Sequence, residues 1–180
     1  MQLNGHYLAG LTDGEGCFAL EYRKDRQKNK NGKIREYFNW SVEFVIVLRS
    51  DDKELLLSVK ETLQCGTVSV IEKLNQVRFS VQNTKDICER VIPFFNEYKM
   101  NGKKKYDFEL WCEASKILNK YKTSPLNSRK GRQGFVKKPY DKSDLERLNS
   151  IRESMLTFKA SRPKRYKWNQ ALMGERQALL

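Results

Sequence analysis

Few residues in this chain are of a type that could do chemistry. A single histidine, His6, rules out a two-histidine metal site, and no catalytic role is assigned to it. The four cysteines, Cys17, Cys65, Cys88 and Cys112, lie far apart and form neither a CxxC pair nor a Cys/His cluster. They read as reduced thiols of an intracellular protein, not as zinc ligands or a disulfide scaffold. What remains is carboxylates and amines. Asp13 and Glu15 flank Gly14 at the end of a glycine-bearing apolar segment, and Lys103, Lys104 and Lys105 stand in a row. A divalent cation can activate a water, stabilise charge on phosphorus and orient a leaving oxygen, the three needs of phosphodiester hydrolysis. Mg²⁺ favours a few carboxylates completed by phosphate and water. One such carboxylate per chain is too few for that site. Read alone, Glu15 could be an ordinary acid at a helix end, and the lysines a solvated helix start.

The charge supports a polyanionic partner. The 180 residues carry a formal charge of +13 and a pI near 9.6. It is unevenly placed: residues 1–100 hold 15 basic and 14 acidic side chains, residues 101–180 hold 20 and 8. With 39% hydrophobic residues the chain can bury a core. No apolar run approaches the ~20 residues of a membrane helix, and the N-terminal residues lack the pattern of a signal peptide.

The elements that must position these residues follow from periodicity. A helix is predicted over residues 3–13, with Leu8 and Leu11 on its apolar side. Gly10 and Gly14, four apart beside Ala9, leave a flat strip where another backbone can approach closely. Alternation at Phe18 and Leu20 predicts a strand to about Arg23, then a polar loop with Asn31-Gly32 as its turn. A second strand is expected over 37–48, with Phe38, Trp40, Val42, Phe44, Ile46 and Leu48 on one face. Ser50 is the expected cap of a helix at 51–63. A second hairpin has strands near 67–73 and 76–82. Thr84 is the expected cap of a helix at 85–98 that Pro93 kinks. Helices at 104–120 and 141–158 close the chain, separated by a basic linker, with a basic tail from Ser161. The fold class is therefore α+β: an αββαββα core of residues 1–120 with a four-stranded antiparallel sheet, and residues 121–180 as basic linker, C-terminal helix and tail.

The segment Tyr7-Leu8-Ala9-Gly10-Leu11-Thr12-Asp13-Gly14-Glu15-Gly16 resembles the signature of the LAGLIDADG homing endonucleases. The element order, and Gly102-Lys103-Lys104-Lys105-Tyr106-Asp107-Phe108 leading into a helix, extend the likeness to about residue 120. The resemblance implies several roles. Glu15 would be the catalytic acid and metal ligand, with Gly14 beside it at the metal, and Lys103 and Lys104 would stabilise charge at the scissile phosphate. Leu8, Ala9, Gly10, Leu11 and Gly14 would form the interface of two motif helices in a homodimer. The open face of a saddle-shaped sheet would lie over the DNA major groove. Its contacts would come from Glu21, Arg23, Asn39, Ser41 and Glu43, and from Thr67, Ser69, Lys73, Gln76, Arg78 and Ser80. Lys24, Arg26, Lys28, Lys30, Lys33 and Arg35 would form an arm on the phosphates. Leu48 departs from the polar residue that the family often has near the end of the second strand; Arg49 or Lys53 could substitute.

The expected function is a site-specific, intron-encoded double-strand DNA endonuclease, using Mg²⁺ as a homodimer on a long, partly palindromic target. The alternatives are an intron RNA maturase, which the basic C-terminal part would suit, or a non-catalytic DNA-binding protein on the same scaffold. The expected location is intracellular: an organelle that encodes the protein, or a bacterial cytoplasm.

Overall fold

The computed structural model describes residues 2–28, 31–121 and 140–157. Helix α1 (Gly5–Glu15) leads directly into β1 (Gly16–Lys28), which pairs with β2 (Ile34–Arg49). A short 3₁₀ turn (Ser50–Asp52) precedes α2 (Lys53–Leu63). The second hairpin is β3 (Thr67–Ile71), a 3₁₀ turn (Glu72–Leu74) and β4 (Gln76–Val81). A continuous helical stretch follows: α3 (Thr84–Asp86), a π-helical turn (Ile87–Val91) and α4 (Ile92–Glu97). Helices α5 (Lys104–Lys120) and α6 (Lys142–Thr157) complete it. The sheet is antiparallel with strand order β1-β2-β4-β3.

The register decides which side chains face the core. Phe18, Leu20 and Tyr22 lie opposite Phe44, Val42 and Trp40, and Val77 and Phe79 lie opposite Leu48 and Ile46. These residues pack against the helices, with Phe18 and Phe44 stacked at 5.1 Å and Trp111 of α5 against Phe18 at 5.0 Å. Trp111 is fully buried and donates its Nε1–H to the Ala19 carbonyl at 3.1 Å, which satisfies the one polar atom of the indole. The alternate residues, Ala19, Glu21 and Arg23 opposite Glu43, Ser41 and Asn39, line the other side of the sheet. The core continues past residue 120, because Leu148, Ile151 and Met155 of α6 are buried in the same cluster. The Tyr121 and Tyr140 rings meet at a tilt, 4.6 Å between centroids, and the Tyr121 hydroxyl donates to Asp144 at 2.7 Å. The rest of the basic linker, and the tail, lie outside the described residues.

Several local expectations differ from the structure. The polar stretch expected to loop after Arg23 continues the ladder to Lys28, with cross-strand support from Arg26 and Glu36 at 2.9 Å. Strand β3 stops at Ile71, so Lys73 sits in the 3₁₀ turn before Asn75, whose φ of 49° reverses the chain. Ser50 does not cap α2; its hydroxyl and N–H both bond Asn75. Asn83 replaces Thr84 as the cap of α3, accepting from Lys85 N. Pro93 is accommodated without ending the helix. Proline has no N–H and crowds the carbonyl four residues back, here that of Glu89, which lies inside the wide turn Ile87–Val91.

Candidate active site

Helix α1 begins at Asn4, whose side chain accepts from His6 N and Tyr7 N at 2.9 and 3.3 Å. His6 is exposed and meets Tyr98 edge-on at 5.3 Å. The expected helix strip is divided by the packing. Leu8 and Ala9 are 0% and 3% exposed inside their own chain, so they are core residues and not a surface for a partner. Leu11 is half-buried, while Tyr7, Gly10 and Gly14 are exposed.

The glycines fall into two groups. A Cβ at Gly102 would lie 2.8 Å from an Asp13 carboxylate oxygen, so that glycine is explained within the chain. A Cβ at Gly10 or Gly14 would meet nothing within 4 Å among the described residues. Each costs about 1 kcal/mol of helix propensity relative to alanine. Nothing among the described residues repays that cost, as a backbone approaching from outside would.

The end of α1 is fixed by groups far away in sequence. Asp13 Oδ2 accepts from Asn101 N and Gly102 N at 2.8 and 2.9 Å, which spends this acid on the loop before α5. Lys104 Nζ donates to the carbonyls of Thr12, Asp13 and Gly14 at 3.1, 2.8 and 2.8 Å. These carbonyls form the negative dipole end of the helix; Thr12 O also accepts the Gly16 N–H, whereas the carbonyls beyond it are past the reach of the helix ladder. Burial lowers the Lys104 pKa from its ordinary value; the negative groups Glu15 and Asp13, with Cys17, oppose that shift. The Gly14 carbonyl expected beside a metal thus faces an ammonium. Glu15 is exposed at the junction of α1 and β1.

The surrounding lysines differ in setting. Lys103 is exposed at the start of α5, and the Lys105 ammonium lies 5.0 Å from the Tyr106 ring centroid. At the end of β2, Leu48 packs against the core and so points away from the open face. Arg49 is paired with Asp51 through two contacts, and Lys53 is exposed at the first position of α2.

On the open face, Glu21, Arg23, Asn39, Ser41 and Glu43 share a side with Gln76, Arg78 and Ser80 of β4, and with Thr67 and Ser69, which lie opposite Ser80 and Arg78. Arg78 Nη2 and Gln82 Nε2 each contact Glu43 Oε1 at 2.8 Å. In the hairpin arm, Lys33 is exposed and Arg26 is paired with Glu36. The side chains of Lys24, Lys28 and Arg35, and the whole of Lys30, lie outside the described residues.

The donor set fits a shared metal better than a private one. Among the described residues, no group of three or more His, Cys, Asp and Glu side chains could hold a metal ion. Asp13 Oδ2 is committed to backbone N–H groups and its Oδ1 is buried, which leaves Glu15 as the exposed acid of the motif. A lone exposed carboxylate at a helix end could hold a divalent cation only with ligands from elsewhere, such as a second Glu15, phosphate and water.

An exposed acid under an uncovered glycine strip, joined to a sheet with an open polar face, defines a class of protein. The family model described as LAGLIDADG endonuclease matches residues 8–115, more than half of the chain. The chain belongs to this family. It is 31% identical over 103 residues to a probable intron-encoded DNA endonuclease 1 of Mycosarcoma maydis, covering 57% of this chain and 34% of that protein. It is 29% identical over 112 residues to a probable intron-encoded endonuclease, Cox1-I1b, of Schizosaccharomyces pombe, covering 62% and 27%. The chain thus spans about a third or less of these relatives. Among solved structures, I-LtrWI bound to target DNA shares 26% identity at a TM-score of 0.64, over 84% of this chain and 44% of that one. I-TnaI, described as a homing endonuclease, shares the fold at 18% identity and a TM-score of 0.67, over 97% and 99% of the two chains. I-SmaMI, bound to uncleaved DNA target in the presence of calcium ions, shares it at 24% identity and a TM-score of 0.65, over 85% and 45%.

Proposed function

We propose that the chain is an intron-encoded endonuclease that hydrolyses both strands of a specific double-stranded DNA with Mg²⁺, acting as a pair of identical copies. The observation that carries this reading is the exposed Glu15 at the end of α1, beside Gly10 and Gly14, at which an added Cβ would meet nothing within 4 Å among the described residues. Pairing two α1 helices along that strip would cover it and bring two Glu15 carboxylates together, supplying the acid that one chain lacks. A long, partly palindromic target follows from two identical reading faces.

Metal at the paired carboxylates would supply Lewis-acid and water-activating chemistry. The residues of the chain have separate tasks. Glu15 holds charge opposite the metal, and the open face sets the DNA register. Lys104 fixes the α1 terminus that carries Glu15, while exposed Lys103 is the amine free to meet a scissile phosphate. No helix among the described residues is long and apolar enough to cross a membrane, and the net charge of +13 suits a phosphate backbone.

The test is cleavage of a plasmid carrying the uninterrupted host sequence. Glu15→Gln keeps size and hydrogen bonding but removes the charge that holds the metal. It should bind the same DNA with wild-type affinity and leave it uncut. Cutting by the variant near the wild-type rate would remove Glu15 from the metal site. A wild type that cuts no such DNA but binds the intron RNA would favour the maturase alternative.

A further inference from the structure

The open face holds an acid whose place opposite a polyanion needs explaining. Glu43 lies on β2 opposite Ala19. An isolated carboxylate there would repel phosphate and cost desolvation on binding. It is not isolated: its side chain is 14% exposed, and Oε1 takes the contacts of both Arg78 Nη2 and Gln82 Nε2 at 2.8 Å. Arg78 stands opposite Val47, and the Val45–Ser80 pair lies between it and Glu43. The arginine must therefore run along the sheet past that pair. Val45 is only 6% exposed although it belongs to the open face. The Arg78 side chain is 34% exposed and reaches Glu43 through Nη2, and Glu43 Oε2 bears neither of the two contacts.

We propose that Glu43 and Arg78 form a preset unit that reads one G·C pair of the DNA target in one orientation. Arg78 donates to guanine O6 and N7, and Glu43 Oε2 accepts from the cytosine N4 amino group. In the major groove a G·C pair sets two guanine acceptors beside a cytosine donor, and the Arg–Glu pair is the complement of that row. An A·T pair reverses the critical contacts: the adenine amino group would face the guanidinium, and thymine O4 would face the carboxylate. The wrong pair is thus opposed by donor against donor and acceptor against acceptor. Gln82 is a positioning residue, since it holds the oxygen that Arg78 also uses. The proposal rests on the reading of DNA as the ligand.

The experiment is selection of bound duplexes from a pool randomised across the target, at one fixed salt concentration, with the full chain. Wild type is compared with Glu43→Gln, Glu43→Ala and Arg78→Ala. Wild type should enrich G·C in one orientation at one position of each half-site. The variants should lose that preference by about 10- to 100-fold, as expected for one bidentate contact, and keep the preferences at other positions. Replacing that guanine by 7-deazaguanine, which lacks the N7 acceptor, should weaken wild-type binding about 10-fold and leave Arg78→Ala little changed. Variants that keep the wild-type profile at every position, or lose affinity evenly across the pool, overturn the proposal and leave the pair a strut of the sheet. A wild type that enriches no sequence overturns the endonuclease reading itself, so the two failures are distinguishable.

Discussion

Replacing Lys104 with methionine should lower the stability of the free protein before any DNA or metal is added. The variant keeps the length and apolar stem of the side chain and removes the ammonium. Three N–H···O bonds, at 3.1, 2.8 and 2.8 Å, disappear with it. A hydrogen bond involving a charged group contributes about 1.5–3 kcal/mol, and a cation at a partly buried helix C-terminus up to about 2 kcal/mol. The three bonds share one ammonium, and its burial opposes the charge, so their values do not add. A net loss of about 2 kcal/mol is the reasonable expectation. For a protein of this size, 1 kcal/mol moves Tm by about 2–4 °C, so Lys104→Met should melt about 4–8 °C lower in a calorimetric or circular-dichroism scan. Lys103→Met, at an exposed position, should stay within about 2 °C of wild type. If Lys104→Met melted with wild type and lost only DNA affinity or cleavage, the lysine would be a phosphate ligand, and the reasoning from the helix end would be refuted.

The glycines should separate by thermal scan and sedimentation. Gly10→Leu and Gly14→Leu gain helix propensity, and the new Cβ meets nothing within 4 Å among the described residues, so Tm of the monomer should hold or rise while a wild-type dimer is lost; an intact dimer in both variants would contradict the strip as interface. Gly102→Ala should instead lower Tm, by an amount corresponding to about 1–3 kcal/mol, because the new Cβ meets the Asp13 carboxylate; an unchanged Tm would remove that acid from its anchoring role. Burial pushes the Cys65 thiol up to about 11 and the Cys112 thiol up to about 12, so at pH 8 both are almost wholly protonated and should resist iodoacetamide in the native protein but react in urea. Mass-spectrometric labelling of Cys112 at the same rate in both states would show that the site is open.

Much of the fold was legible because it is written in local periodicity. The alternation from Phe18 and from Trp40 to Leu48 identified the buried face of the first hairpin, and the limits of α5 and α6 fell within a residue of expectation. The segment from Lys24 to Lys28 misled because its side chains carry no apolar alternation; its strand is set by the partner across the ladder, which a linear reading does not contain. The division of the motif was also hidden. Leu8 and Gly10 are near neighbours in sequence, but only the packed helix shows that one faces inward and the other outward. Lys104 stands about ninety residues from the carbonyls it binds and Asp13 a similar distance from its loop. Such pairs leave no mark on spacing, so Lys103 and Lys104 looked equivalent until their surroundings were visible.

The unequal strand lengths have a consequence for how the molecule opens. Strand β2 meets β4 only over Phe44–Arg49, whereas it meets β1 from Ile34 to Ile46. The distal part of the first hairpin is therefore a ribbon supported by one ladder, and a two-stranded ribbon alone is marginal in water. Its amides should exchange with solvent hydrogen through local opening that leaves Phe44 and Phe79 packed. Protection would then fall stepwise along β2, from a slow inner third to a fast outer end. A polyanion gripping the basic outer end would erase that step, which makes the exchange gradient along a single strand an internal gauge of occupancy.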